Sequence, residues 1–214
     1  MSEQTLREEI VAVAQAIDEA GFCPSKSGNV SARFRDGLLI TPSGLPYAQT
    51  KPEDLIYLAL DGKVLGGSRK PSSEWPFHTE IYKARPDAHA IVHTHSPRAT
   101  ALSCARRGIP AFHYMIALCG GADVRCADYA TFGSPELAAN AVRALEGRKA
   151  VLLANHGVIA LGATLAGAHT IVAEVENLAG QYLDLLASGL EPVILDAAEM
   201  ARVSAKFAGY GKVG

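Results

Sequence analysis

Along the first twenty residues Leu6, Ile10, Val13 and Ile17 fall on one stripe of a 3.6-residue period that stops at Gly21, which predicts a helix from about Thr5 to Ala20. The period then changes. VSARFRDGLLITPS and LIYLALDGKVLGG each place apolar runs on both sides of an Asp-Gly pair, Asp36-Gly37 and Asp61-Gly62, the pair that closes a tight hairpin. Strands joined this way run antiparallel. Ser72-Ser73-Glu74 stands before a helical run through Arg85, and Ala90-Ile91-Val92 leads into His93-Thr94-His95 as a further strand. Helices follow from about Pro97 to Arg107 and from Ser134-Pro135 to about Glu146. The paired runs AVLLA and VIALG come next, then a long helix from about Leu165 to Ala187 and a last one from about Ala197 to Ala208. Hairpins mixed with helices argue for an α/β chain with a mainly antiparallel central sheet covered by helices, not a doubly wound nucleotide-binding sheet. No linker rich in Pro, Gly or Ser divides the 214 residues, so a single domain spanning 1–214 is expected.

Composition narrows the partners. Twenty basic and 22 acidic side chains leave a formal charge of −2 with no run of one sign, which argues against nucleic acid or an anionic membrane surface. The opening MSEQTLREEIVAVAQAIDEAG is acidic and amphipathic, without the basic start and apolar core of a signal peptide, and no window is long and apolar enough to span a bilayer. Cys23, Cys104, Cys119 and Cys126 form no CxxC pair, so reduced thiols and a cytoplasmic location are expected.

The chemistry lies in the histidines. His93 and His95 stand two apart on a predicted strand and so share a face, and His156 sits at the polar break Asn155-His156-Gly157. Three neutral imidazoles leave the fourth position of a tetrahedral ion open, as catalytic zinc sites do. Spacing alone leaves ordinary strand-end histidines equally open. His78, His89, His113 and His169 show no ligand pattern and are read as structural. Three clusters of hydrogen-bond donors accompany the ligands: Ser27-Gly28-Asn29-Val30-Ser31, Thr41-Pro42-Ser43-Gly44 and Ser72-Ser73. Each alone is equally a turn or a helix cap. Together, with little net positive charge, they suit one small phosphate monoester, and the absence of GxxxxGK[ST] removes a P-loop. Glu74, beside this cradle, is placed to take a proton from a carbon next to an ion-polarised oxygen.

SGNVS, ITPSG, KPSSEWPFH, IVHTHSP, IPAFHYMIALCGG, YATFGS and NHG occur in order from Ser27 to Gly157, and with the terminal KFAGYG they cover essentially the whole chain. In this register the chain resembles the class II aldolase/adducin family. The resemblance implies a three-layer sandwich with helices on both faces of the sheet, and a homotetramer with its sites at subunit interfaces. It implies one Zn2+ per subunit on His93, His95 and His156, with Glu74 able to contact the ion and acting as the base. Asn29, Ser43, Gly44, Ser72 and Ser73 match the phosphate cradle, with Ser43 where relatives typically carry threonine. Tyr114 matches a proton donor reaching across the interface, Tyr210 a C-terminal tyrosine near the site, and Phe132 an aromatic on the aldehyde side. The implied reaction is reversible cleavage of a ketose 1-phosphate, such as L-fuculose 1-phosphate, to dihydroxyacetone phosphate and a small aldehyde such as L-lactaldehyde. Related dehydratases, decarboxylases and 4-epimerases are the alternatives. The epimerases typically carry aspartate at the position of Glu74, and a non-catalytic adducin-like module need not keep the four ligands.

Overall fold

The computed structural model describes residues 2–209. In chain order the elements are α1 Glu3–Glu19, β1 Asn29–Phe34, β2 Gly37–Ile40, β3 Ile56–Ala59, β4 Val64–Gly66, α2 Trp75–Ala84, β5 Ala90–Thr94, α3 Pro97–Cys104, β6 Ile109–Pro110, β7 Asp123–Ala127, α4 Pro135–Ala144, β8 Ala150–Leu153, β9 Gly157–Gly162, α5 Leu165–Ser188 and α6 Ala197–Gly209. One nine-stranded sheet takes the order β4-β3-β2-β1-β5-β9-β8-β7-β6. Both Asp-Gly hairpins form, β1 with β2 and β3 with β4, each antiparallel. The single parallel pairing among the described strands is β7 with β8.

Alternation along the strands feeds two core layers. Leu39, Val92, Val158 and Ala160 face one side, where Ile10 and Ile17 of α1, Leu102 of α3 and Val172 and Val175 of α5 pack. Leu38, Ile40, Ile91, Ile159 and Leu161 face the other, against Phe77 and Ile81 of α2 and Leu137 and Ala141 of α4. Helices therefore cover both faces, and each fully buried Leu or Ile contributes roughly 1.5–3 kcal/mol over its exposed state. α6 joins the first layer through buried Met200. Among the described residues no helix is long and apolar enough to cross a membrane.

Two strands depart from the pattern reading. DVRCA, now β7, buries only Val124 and Ala127, so its apolar signal is too sparse to mark a strand. It forms because β8 offers an edge, with Arg125 opposite Val151 and Ala127 opposite Leu153. Ile109-Pro110 is a two-residue strand pairing with β7. The run before α2 forms where its sequence places it, with Glu74 the residue immediately preceding the helix.

Candidate metal centre and its cleft

β5 lies between β1 and β9, with Asn29 opposite His93 on one side and Ile159 on the other. This register brings three of the four ligands together. His93 is fully buried on β5, and His95 follows the strand's end on the same face. His156 comes from the turn between β8 and β9, where Asn155 takes a left-handed backbone with φ 56°, a conformation Asn tolerates. That turn is pinned from α3: the backbone N–H groups of Asn155 and His156 donate to the Ser103 carbonyl at 2.9 Å and the Ser103 hydroxyl at 3.3 Å. Glu74 arrives from the other core layer, at the mouth of α2.

One imidazole nitrogen from each histidine and a Glu74 carboxylate oxygen all lie within 4.8 Å of one another. Glu74 Oε2 is 3.1 Å from His93 Nε2, and Glu74 Oε1 is 3.1 Å from His156 Nε2. His93 Nε2 is 3.1 Å from His95 Nε2, close to the edge of about 3.3 Å expected for a tetrahedron with 2.0–2.1 Å metal–nitrogen bonds. The three rings stand nearly edge to face, with centroids 4.8–4.9 Å apart.

The proton inventory says what this cluster takes. His93 Nδ1 is 2.9 Å from the Val158 carbonyl, which can only accept, so Nδ1 carries a proton and Nε2 is the nitrogen turned toward the cluster. Nε2 faces the Glu74 carboxylate and a second imidazole. Burial would raise the Glu74 pKa, but the opposing charge and hydrogen bonds of His93 and His156 outweigh it and hold the carboxyl well below the usual range. Burial, with His93 and His156 nearby, pulls His95 down to about 3, so it is neutral at neutral pH. Three imidazoles and an ionised carboxylate converging on one point form a transition-metal donor set.

Beside the cluster opens a cleft of roughly 290 Å³ whose walls include Asn29, Ser43, Gly44, Ser72, Ser73, Glu74, His95, His156 and Phe132. The two serine segments meet because they pair as short extended stretches: Pro42 bridges Pro71, the Ser43 N–H donates to the Lys70 carbonyl and the Ser72 N–H to the Thr41 carbonyl, both at 3.0 Å. Gly28, with φ 83°, is required where this wall meets the sheet, since a Cβ there would lie 2.7 Å from the His93 carbonyl oxygen.

Residues 8–183 match the model of the Class II Aldolase and Adducin N-terminal domain. The chain belongs to the class II aldolase/adducin family. A 5-methylthioribulose-1-phosphate/5-deoxyribulose-1-phosphate aldolase of Rhodospirillum rubrum is 50% identical, covering 98% of this chain and 94% of that protein. An L-fuculose phosphate aldolase of Escherichia coli is 43% identical over 99% of this chain and 98% of its own length. A solved L-fuculose 1-phosphate aldolase superimposes with a TM-score of 0.92 at 42% identity, covering 97% of this chain and 98% of that one. With these relatives the chain is an enzyme of the class II aldolase type, a lyase whose metal-binding cluster joins one glutamate to three histidines.

In this class II aldolase not every residue expected at the site lines the same cleft. Tyr114, half exposed, lies in a separate groove with Phe112, Met115, Val203 and Phe207, and its ring stacks parallel to that of Phe207 on α6 at 6.3 Å. Tyr210 lies outside the described residues. The cleft also has walls that pattern reading passed over: Lys26, Tyr129 and Asn155. Lys26 is the one cationic side chain lining it among the described residues, and its place two residues before the Gly28-Asn29 turn was the available signal.

Proposed function

We propose that this aldolase cleaves, and in reverse joins, ketose 1-phosphates, releasing dihydroxyacetone phosphate and a small aldehyde. The reading is carried by one observation: an acceptor-rich cluster of three imidazoles and an ionised carboxylate opens directly onto a cleft walled by serine, asparagine and backbone donors. We assign the ion as zinc, one per chain on His93, His95 and His156, because imidazole ligation favours it over harder ions. When bound, it supplies Lewis-acid polarisation of the substrate's carbonyl and hydroxyl oxygens.

The chain's own residues do the rest. Asn29, Ser43, Gly44, Ser72 and Ser73 hold the phosphate and so orient the adjacent carbons toward Glu74. In the joining direction Glu74 takes a proton from the hydroxymethyl carbon of dihydroxyacetone phosphate, that carbon bonds to the aldehyde carbon, and the aldehyde oxygen takes a proton from Tyr114. In cleavage the Tyr114 phenolate accepts the hydroxyl proton, the carbon–carbon bond breaks, and protonated Glu74 delivers its proton to carbon; a proton lost from Tyr114 to solvent and one taken up by Glu74 reset the site. Because Tyr114 lies outside the cleft of its own chain, we assign it to the site of a neighbouring copy in a homotetramer. Phe132 and a C-terminal Tyr210 complete the aldehyde side. The enzyme acts in the cytoplasm on a phosphorylated sugar.

L-fuculose 1-phosphate yields L-lactaldehyde, and 5-deoxyribulose 1-phosphate yields acetaldehyde. The 50% identity to the Rhodospirillum rubrum aldolase and the exposed rings of Tyr129 and Phe132 favour a small apolar tail, so the 5-deoxy and 5-methylthio pentuloses stand beside L-fuculose 1-phosphate as substrates. The test is product analysis of the zinc-loaded chain on each ketose phosphate. Dihydroxyacetone phosphate in stoichiometric amounts with the matching aldehyde supports the reading; release of carbon dioxide, or an epimer with no aldehyde, rejects it.

A further inference from the structure

His78 is the most deeply buried histidine that is not a ligand. It stacks on Phe77 with ring centroids 4.6 Å apart and has no exposed surface. Asn29, Ser31 and Tyr82 are buried with it, and the four make an unbroken chain of hydrogen bonds ending on the carboxylate. Asn29 and Ser31 are two apart on β1 and share a face, while His78 and Tyr82 are four apart on α2 and share a stripe.

The direction of each bond follows from its end. The ionised carboxylate of Glu74 only accepts, so the contact at 3.0 Å between Asn29 Nδ2 and Glu74 Oε2 has the amide N–H donating. Asn29 Oδ1 then faces His78 Nε2 at 2.5 Å and must accept, which places the ring proton on Nε2. Burial, chiefly, and the neighbouring His93 pull His78 down to about 3, so the ring carries one proton and Nδ1 is an acceptor. The Ser31 hydroxyl, 2.7 Å away, donates to Nδ1, and its oxygen accepts from the Tyr82 phenol at 2.9 Å. Each of the four contacts thus pairs one donor with one acceptor. Packing alone does not require this, since an apolar side chain would fill the same space without the cost of burying polar groups.

We propose that His78, oriented by Ser31 and Tyr82, is a positioning residue that locks the Asn29 amide with its N–H toward Glu74 and thereby fixes the carboxylate against the metal ligands. This rests on the reading of Glu74 as the base. Without the His78 proton the Asn29 amide is free to turn its oxygen toward Glu74, where two acceptors repel.

The test has one arm that needs no turnover. Histidine-selective nitrogen-15 resonances of the zinc-loaded chain are expected to show His78 with its proton on Nε2 throughout pH 6–8; any other state of the ring overturns the proposal. In the second arm, His78→Phe keeps a ring on Phe77 and loses both hydrogen bonds. It is expected to weaken zinc about tenfold and to lower kcat at least tenfold, with KM changed less than threefold, and His78→Gln should recover most of both. Unchanged zinc affinity and kcat, or no recovery in His78→Gln, overturns it. Should His78→Phe not fold, Ser31→Ala, which frees His78 to move its proton to Nδ1, carries the same expectations. If the wild-type chain cleaves no ketose phosphate, the proposed function fails, while the resonance and zinc-affinity arms still decide the positioning chain.

Discussion

His93 and Glu74 are buried and meet at 3.1 Å within a single chain, each with further partners. Tyr114, Tyr129 and Phe132, the aromatics assigned to or lining the aldehyde side, are 50, 54 and 66% exposed. The first region is preorganised because sheet register and the mouth of α2 over-determine it: the ligands cannot move without breaking strand pairing or the core beneath. The second is built from side chains that keep half or more of their surface exposed among the described residues. The cation-binding cluster thus converges within one chain, whereas these aromatics stay largely open to solvent in it.

Perturbing the buried region should have the larger effect. Removing the ion with a chelator should eliminate measurable cleavage and lower the melting temperature, and added zinc should restore both, as read by coupled assay and calorimetry. Glu74→Gln should keep the ion and fold yet lose kcat by about 10³–10⁴-fold, the upper range for a general base; a loss under tenfold would remove Glu74 from that role. For the exposed region, Tyr114→Phe should cost nearer 100-fold in kcat with zinc affinity unchanged. Its activity should be partly regained in mixed assemblies with Glu74→Gln, because both defects can then fall together in one site and leave a neighbouring site with an intact Glu74 and Tyr114. Ser72→Ala should raise KM for the ketose phosphate about tenfold, the worth of one hydrogen bond to a charged group, and leave kcat within a few-fold.

The smallest effect is on stability. His78 stays neutral in the folded chain to about pH 3, against an ordinary value of 6.5. Unfolded chains therefore bind the extra proton between those values, so stability is full above about pH 6.5 and falls as pH drops toward 3. For this one group the slope is at most about 1.4 kcal/mol per pH unit. Urea melts of zinc-free wild type and His78→Phe between pH 5 and 7.5 should show the shallower decline in the variant; parallel declines would contradict the buried neutral ring.

The elements with strong periodicity were readable in the chain itself: α1 from its stripe, both Asp-Gly hairpins, and the strand carrying His93. β7 was not, because its pairing is supplied by β8 and not by its own apolar residues. At the site, the histidines and Glu74 could be picked out by residue type, and resemblance gave the cradle, yet neither showed the Pro42–Pro71 bridge that joins its two serine segments. His78 was read as merely structural. Its bonds to Asn29 and Ser31 span 49 and 47 residues, and only register across β1 and α2 brings them together.

His93, His95 and His156, with Glu74 beside them, are proposed to hold one divalent ion. Elemental analysis of the purified, exhaustively dialysed chain beside His156→Ala tests it most directly. The expected result is one zinc per wild-type chain and a marked loss in the variant; wild-type protein with no stoichiometric metal, and none taken up on titration, would contradict it.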